Sequence, residues 1–190
     1  MRSTALLTLA LLALGTPAMA QTPAAKAPWD QAFLPPAPHW QGASQALIRG
    51  ASDPWATAFE ADPAHARVAQ SNIERAGLAP LVTLRLGRAL DSLPVLVRED
   101  SGPFDLVFID ADKENTAEYF QWAVQLAAPG AVIIVANVIG GGAALDAASA
   151  DPQVQGVRRF NERLRSEPRV RATTIQTVAS KGYDGFTIAN

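Results

Sequence analysis

Phe104-Asp105-Leu106-Val107-Phe108-Ile109-Asp110-Ala111-Asp112-Lys113 is the stretch on which the reading of this chain turns. The nearly continuous apolar run through Ile109 has the pattern of a central strand covered on both faces. It runs straight into two acids and a lysine. In an open α/β sheet, ligands bind just beyond the carboxyl ends of the strands, so Asp110, Asp112 and Lys113 fall where a site belongs. The same two acids could instead cap the helix that follows.

Working outward from that strand, short apolar runs alternate with helical patterns, the mark of βαβ units around a mostly parallel sheet. Upstream, Thr57 to Phe59 reads as a short strand, and Asp62-Pro63 opens a helix that Gly77 closes. Leu81 to Leu86 reads as the next strand and Ala89 to Val97 as a short helix. Downstream, a helix is expected from about Asn115 to Ala127, stopped by Pro129-Gly130, with a buried strand over Ala131 to Val135. Asp151-Pro152 opens another helix that runs toward Pro168, with Val154, Val157, Phe160 and Leu164 on one face. Val170 to Val178 and Phe186 to Ala189 read as a closing pair of strands, joined by a tight connection at Lys181-Gly182-Tyr183-Asp184-Gly185. The expected architecture is a three-layer α/β/α Rossmann-like sheet, mostly parallel, with its last strand antiparallel.

Composition narrows the function classes. Lys plus Arg number 16 against 18 Asp plus Glu, a net charge of −2. A phosphate-binding surface needs a basic excess, so no nucleic-acid partner is expected. The chain has no cysteine, which excludes disulfides, thiolate metal sites and cysteine nucleophiles. His39 and His65 are lone, without a partner at ligand spacing, and read as ordinary surface or packing residues.

The N-terminus is a different kind of sequence. Arg2, the apolar run Ala5 to Leu14 and the Ala18-Met19-Ala20 ending match a secretory signal cleaved before Gln21. A buried N-terminal helix is the alternative. The run is too short for a membrane anchor, so no membrane span is expected. Periplasmic or secreted localisation follows if the signal is used, cytoplasmic if it is not. Residues 21–38, rich in Ala and Pro, read as a linker, and 39–190 as the folded domain.

The central stretch, with Glu114-Asn115, Glu118-Tyr119, Trp122-Ala123 and Pro129-Gly130 after it, resembles the metal-dependent O-methyltransferase family of catechol and caffeoyl-CoA type. The resemblance continues through Asn137-Val138, Gly140-Gly141, Asp151-Pro152, Arg158, Phe160-Asn161 and Pro168-Arg169-Val170. Upstream it takes in Phe59-Glu60-Ala61-Asp62-Pro63, Asn72-Ile73, Ala76-Gly77-Leu78 and Gly87 to Pro94, and so covers about Gly42 to Asn190. It implies transfer of a methyl group from S-adenosylmethionine to a hydroxyl of a small catechol-like acceptor, assisted by a divalent ion such as magnesium. It implies Lys113 as the catalytic proton acceptor, a role that requires neighbouring positive charge or burial to favour the neutral amine. Asp110 and Asn137 are the implied metal ligands. Glu60 is implied to bind the cofactor's ribose diol, as a carboxylate at a strand end can. Gly42, Ser44, Ala89 and Asp110 are the other implied cofactor contacts, with Arg88 and Asp91 in the segment flanking the adenine. Tyr119 and Trp122 read as helix packing. Members of the family often pair as homodimers.

Two positions depart from the family pattern. The glycine-rich strand-to-helix turn before Glu60 is reduced to Gly42-Ala43-Ser44, and the strand before it is replaced by Phe33-Leu34-Pro35-Pro36-Ala37-Pro38. Prolines remove ladder donors and do not suit a central strand, so the identity of the first strand is open. With no counterpart to the earlier helices, the chain reads as an N-terminally truncated or degenerate member. At Val135-Ala136-Asn137 the family carries Asp where this chain has Ala136, and the missing carboxylate should weaken a divalent ion; Asp112 could compensate. The competing function is an exported, non-catalytic descendant that binds a small molecule or protein partner. A nucleotide-dependent dehydrogenase is disfavoured, since no G-x-G-x-x-G precedes Glu60.

Overall fold

The computed structural model describes residues 6–10, 56–180 and 182–190. Strands β1 (Leu6–Ala10), β2 (Ala56–Glu60), β3 (Val82–Leu86), β4 (Phe104–Asp110), β5 (Ala127–Ala136), β6 (Ala172–Ala179) and β7 (Gly182–Ala189) form a seven-stranded sheet in the order β3-β2-β1-β4-β5-β7-β6. The first five are mutually parallel, and β7 runs antiparallel to both β5 and β6. The chain order reverses at β1, which makes the carboxyl ends of β1, β2 and β4 the switch point where such sheets bind ligands.

Helices α1 (Pro63–Arg75), α2 (Ala89–Arg98), α3 (Thr116–Leu126) and α4 (Pro152–Ser166) connect the strands. Right-handed crossovers put α1 on one face of the sheet and α2, α3 and α4 on the other, where they touch in series. Both predicted Asp-Pro starts form: the Asp62 carboxylate accepts from the Ala64 and His65 amides, and Asp151 from Gln153, with proline at the first helical turn where no N–H is needed. The core lies under α2 to α4. Leu93, Leu96, Val107, Phe120, Ala123 and Phe160 are fully enclosed, and the rings of Phe120 and Phe160 meet edge-on at 5.3 Å between centroids. Among the described residues no helix is long and apolar enough to cross a membrane.

One open point is filled and two expectations are corrected. The first strand of the sheet is Leu6–Ala10, paired with β2 on one side and β4 on the other. These residues lie within the run that also matches an export signal. Cleavage before Gln21 would remove them and leave the sheet without an interior strand. The proline-rich 33–38 segment and the 21–38 linker lie outside the described residues. Second, Pro129-Gly130 does not separate α3 from a strand. Strand β5 already begins at Ala127, which pairs with Phe104 before a shift of register, and the bend falls at Gly130, whose φ is 82°. Third, Gly182 to Gly185 are strand rather than connection, because their backbones pair with Ala179 to Gln176 on β6. Ladder hydrogen bonds outweigh the turn preference of Gly and Asp there.

Helix α4 fixes the loops at the end of the sheet. It crosses the single helical turn Lys113–Asn115 at Gly156, where a Cβ would stand 2.1 Å from the Lys113 carbonyl oxygen and 2.6 Å from Glu114 Cα. Gly156→Ala must therefore push α4 off that turn. It is expected to lower unfolding stability in urea by about 2 kcal/mol, as overpacking against backbone does.

Candidate functional site

Two clefts open at the carboxyl ends of the parallel strands. The first, of 290 Å³, is lined by Phe59, Glu60 and Ala61 after β2, Gly87, Arg88 and Ala89 after β3, and Ala111, Asp112, Asn115 and Tyr119 after β4. The second, of 260 Å³, is lined by Lys113, Asn137, Ile139, Gly140, Ala143, Ala144, Asp151, Gln153, Val154, Val157 and Asp184. Consecutive residues, Asp112 and Lys113, line the two, so the clefts share a wall.

Glu60 ends β2 and is 1% exposed. Its Oε1 accepts from the Asp62 amide at 2.9 Å, while its Oε2 is buried with no hydrogen-bond partner among the described residues. A buried carboxylate oxygen without a donor is costly. It has the chemistry of a group whose partner is a ligand hydroxyl. Opposite it, the Asp112 carboxylate accepts from the Tyr119 hydroxyl and the Asn115 amide. Burial pushes the Tyr119 phenol up, and the hydrogen bond to Asp112 pushes it further, so it stays a protonated donor.

Of the implied cofactor contacts, Glu60 and Ala89 line the first cleft and Asp110 does not; Asp112 lines it in its place. Gly42, Ser44 and His39 lie outside the described residues. Asp112 does not cap the next turn with its side chain, nor is it free to replace a metal carboxylate, since both its oxygens are engaged. Tyr119 is packed in the core as expected, but its hydroxyl also reaches the cleft wall. The spacing that could have revealed this is Asp112 to Tyr119, seven residues apart, two helical turns with the acid before the first. His65 sits exposed on the first turn of α1, consistent with the ordinary reading.

In the second cleft Lys113 Nζ donates to Asp110 Oδ1 at 2.8 Å, and the lysine side chain is only 19% exposed. The register that pairs Ile109 with Val135 sets Asp110 beside Ala136 on the neighbouring strand, side chains on the same face. A methyl group therefore stands next to the Asp110 carboxylate. Asn137 follows with φ of 58°, a left-handed conformation that asparagine tolerates better than most residues. Its amide nitrogen donates to Asp184 Oδ2 at 3.2 Å. Asp184, which sequence reasoning assigned to a turn, also takes the Ile139 and Gly140 amides on Oδ1. Burial acts to raise its carboxyl, but the amides of Gly140, Ile139 and Gly185 and the Asn137 side chain outweigh it and hold the group below the usual range.

The donors available to a divalent cation are Asp110 and the amide oxygen of Asn137. They suit a hard ion in kind, but not in number. Among the described residues no three His, Cys, Asp or Glu side chains gather as a metal set would, and one Asp110 oxygen is already held by Lys113. The residues present do not make a complete metal centre.

Residues 46–189 match the O-methyltransferase family model. A catechol O-methyltransferase of Niastella koreensis is 54% identical over 131 residues, 69% of this chain and 59% of the relative. One of Mycobacterium tuberculosis is 52% identical over 131 residues, 69% of this chain and 58% of the relative. The chain thus spans under two thirds of the length of these relatives. Among solved structures, the O-methyltransferase of Bacillus cereus in complex with SAH superposes with a TM-score of 0.74 at 42% identity, covering 97% of this chain and 72% of that one. The Streptomyces achromogenes O-methyltransferase TomG, involved in tomaymycin synthesis and solved with SAM, gives 0.74 at 39% identity, over 97% and 71%. With the family model matched over residues 46–189, most of its sequence, this chain belongs to the O-methyltransferase family.

Proposed function

We propose that this protein transfers a methyl group from S-adenosylmethionine to a hydroxyl of a small catechol-like acceptor. The single observation that carries the reading is Glu60, a wholly buried carboxylate on the wall of a cleft with one oxygen unpartnered among the described residues. A ribose diol would supply the missing donors. The solved relatives bound to SAM and SAH support that choice of ligand.

The bound cofactor contributes an electrophilic methyl carbon on a sulfonium; the chain's own residues do the rest. Glu60 fixes the ribose end of the first cleft, with Ala89 at its wall. Lys113, at the shared wall, serves the acceptor in the second cleft. To accept the hydroxyl proton, the Lys113 ammonium, which donates to Asp110, must first release a proton to solvent; the neutral amine can then leave Asp110 and turn toward the acceptor oxygen. Methyl transfer then depends on alignment of the two clefts, which α4 maintains through Gly156 against the Lys113–Asn115 turn. A divalent ion on Asp110 and Asn137 would be weakly held beside the methyl group of Ala136, and the proton transfer uses Lys113.

Incubation with S-adenosylmethionine and catechol, followed by mass detection of the methyl ether, tests the reading. Lys113→Met is expected to lower kcat by about 100-fold, the usual size of a general-base contribution, with cofactor affinity unchanged. A second reading, a non-catalytic binding module, is favoured by the methyl group of Ala136 beside Asp110. Cofactor binding without turnover for any catechol would select it.

A further inference from the structure

We propose that Asp184 is a positioning residue that turns the Asn137 amide oxygen into the second cleft, where it accepts a hydrogen bond from the acceptor's hydroxyl. This rests on the reading of that cleft as the acceptor site. An ionised carboxylate can only accept hydrogen bonds, so the end of the Asn137 amide that meets Asp184 Oδ2 at 3.2 Å must be its NH2. The carbonyl oxygen is thereby the end left for the cleft, which both residues line.

The clamp is built from both sides. Asp184 Oδ1 accepts from Ile139 N at 3.1 Å, Gly140 N at 3.0 Å and Gly185 N at 2.8 Å. Val138 N donates to the Gly185 carbonyl at 3.1 Å. The segment leaving β5 is thus sewn to β7 on both sides of Asn137's left-handed backbone. Gly185 allows the close approach, because a Cβ there would stand 2.5 Å from Ile139 Cδ1 and 2.4 Å from the Ile175 carbonyl oxygen. The chemistry offered to a ligand is a fixed carbonyl oxygen near a lysine. That pair matches a neutral hydroxyl next to one that loses its proton, as in a vicinal aromatic diol.

Asp184→Asn tests the assignment. The new amide keeps an oxygen for the three backbone N–H groups but sets an NH2 against Asn137, which must reverse and present its own NH2 to the cleft. With 4-nitrocatechol as the probe, read from its visible spectrum in the presence of EDTA, affinity is expected to fall about tenfold, the worth of one good hydrogen bond. Asn137→Gly, which suits the φ of 58° and so folds readily, should give a similar loss. The double variant D184N/N137D, which returns an acceptor oxygen opposite the new amide, should recover affinity. S-adenosylhomocysteine affinity, measured in parallel, should be unchanged throughout. Equal 4-nitrocatechol affinity in wild type and D184N would overturn the proposal, as would a parallel loss of both ligands. Absence of S-adenosylhomocysteine binding in the wild type would count against the methyltransferase reading instead, leaving the 4-nitrocatechol comparison intact.

Discussion

Replacing Glu60 with glutamine is expected to weaken S-adenosylhomocysteine binding by about 100-fold while leaving the unliganded protein at least as stable as wild type. The two effects come from the same oxygen. In the unliganded protein, Glu60 Oε2 is buried without a partner among the described residues, so its charge is a net cost to folding. Glutamine keeps an oxygen for the Asp62 amide and removes that charge. In the proposed complex the carboxylate would accept from the ribose hydroxyls, and each hydrogen bond to a charged group is worth about 1.5–3 kcal/mol. Loss of about 3 kcal/mol corresponds to roughly two orders of magnitude in Kd. Calorimetric titration and a thermal melt of the same sample read both effects. A variant that binds as well as wild type, or that melts well below it, would show that Glu60 serves the fold rather than the ligand.

Ala136→Asp is expected to raise affinity for Mg2+ or Mn2+ by at least about tenfold. The register places the new carboxylate beside Asp110, with adjacent strands about 4.8 Å apart. A second anion at that spacing adds attraction for a dication of about 4 kcal/mol per unit charge pair at an effective dielectric near 20, so a tenfold gain is a modest demand. The same proximity works against the metal-free protein, in which two carboxylates repel. Its melting temperature should drop and then recover as the cation is added, since a ligand bound only by the folded state stabilises it. Mn2+ binding followed by electron paramagnetic resonance measures the affinity directly. Unchanged affinity would mean that Asp110, held by Lys113, is not available to a cation at all.

Most of the sheet was legible because its signals are local. The apolar run into Asp110, the Asp-Pro helix starts and the strand ahead of Glu60 each depend on a few neighbouring residues, and each forms with nearly the expected bounds. What escaped depends on contacts distant in sequence. Leu6–Ala10 has the composition of an export signal, and also of a strand flanked on both sides in a parallel sheet; its pairing with β2 and β4 joins residues some fifty and a hundred positions apart. Asp184 lies in a Gly-Tyr-Asp-Gly string that local preference reads as a turn. Its partners, Asn137, Ile139 and Gly140, are more than forty residues away. In the site, Glu60 and Lys113 could be singled out because strand ends mark functional positions. That Asp112 rather than Asp110 lines the first cleft depends on how the chain turns as it leaves β4, and that is a matter of geometry.

The most direct test of the central claim is isothermal titration of S-adenosylhomocysteine into the purified full chain. A Kd tighter than about 100 μM with one site per chain is the predicted result. A folded sample that gives no binding heat at any workable concentration and temperature would contradict it, and the family's fold would then serve another ligand here.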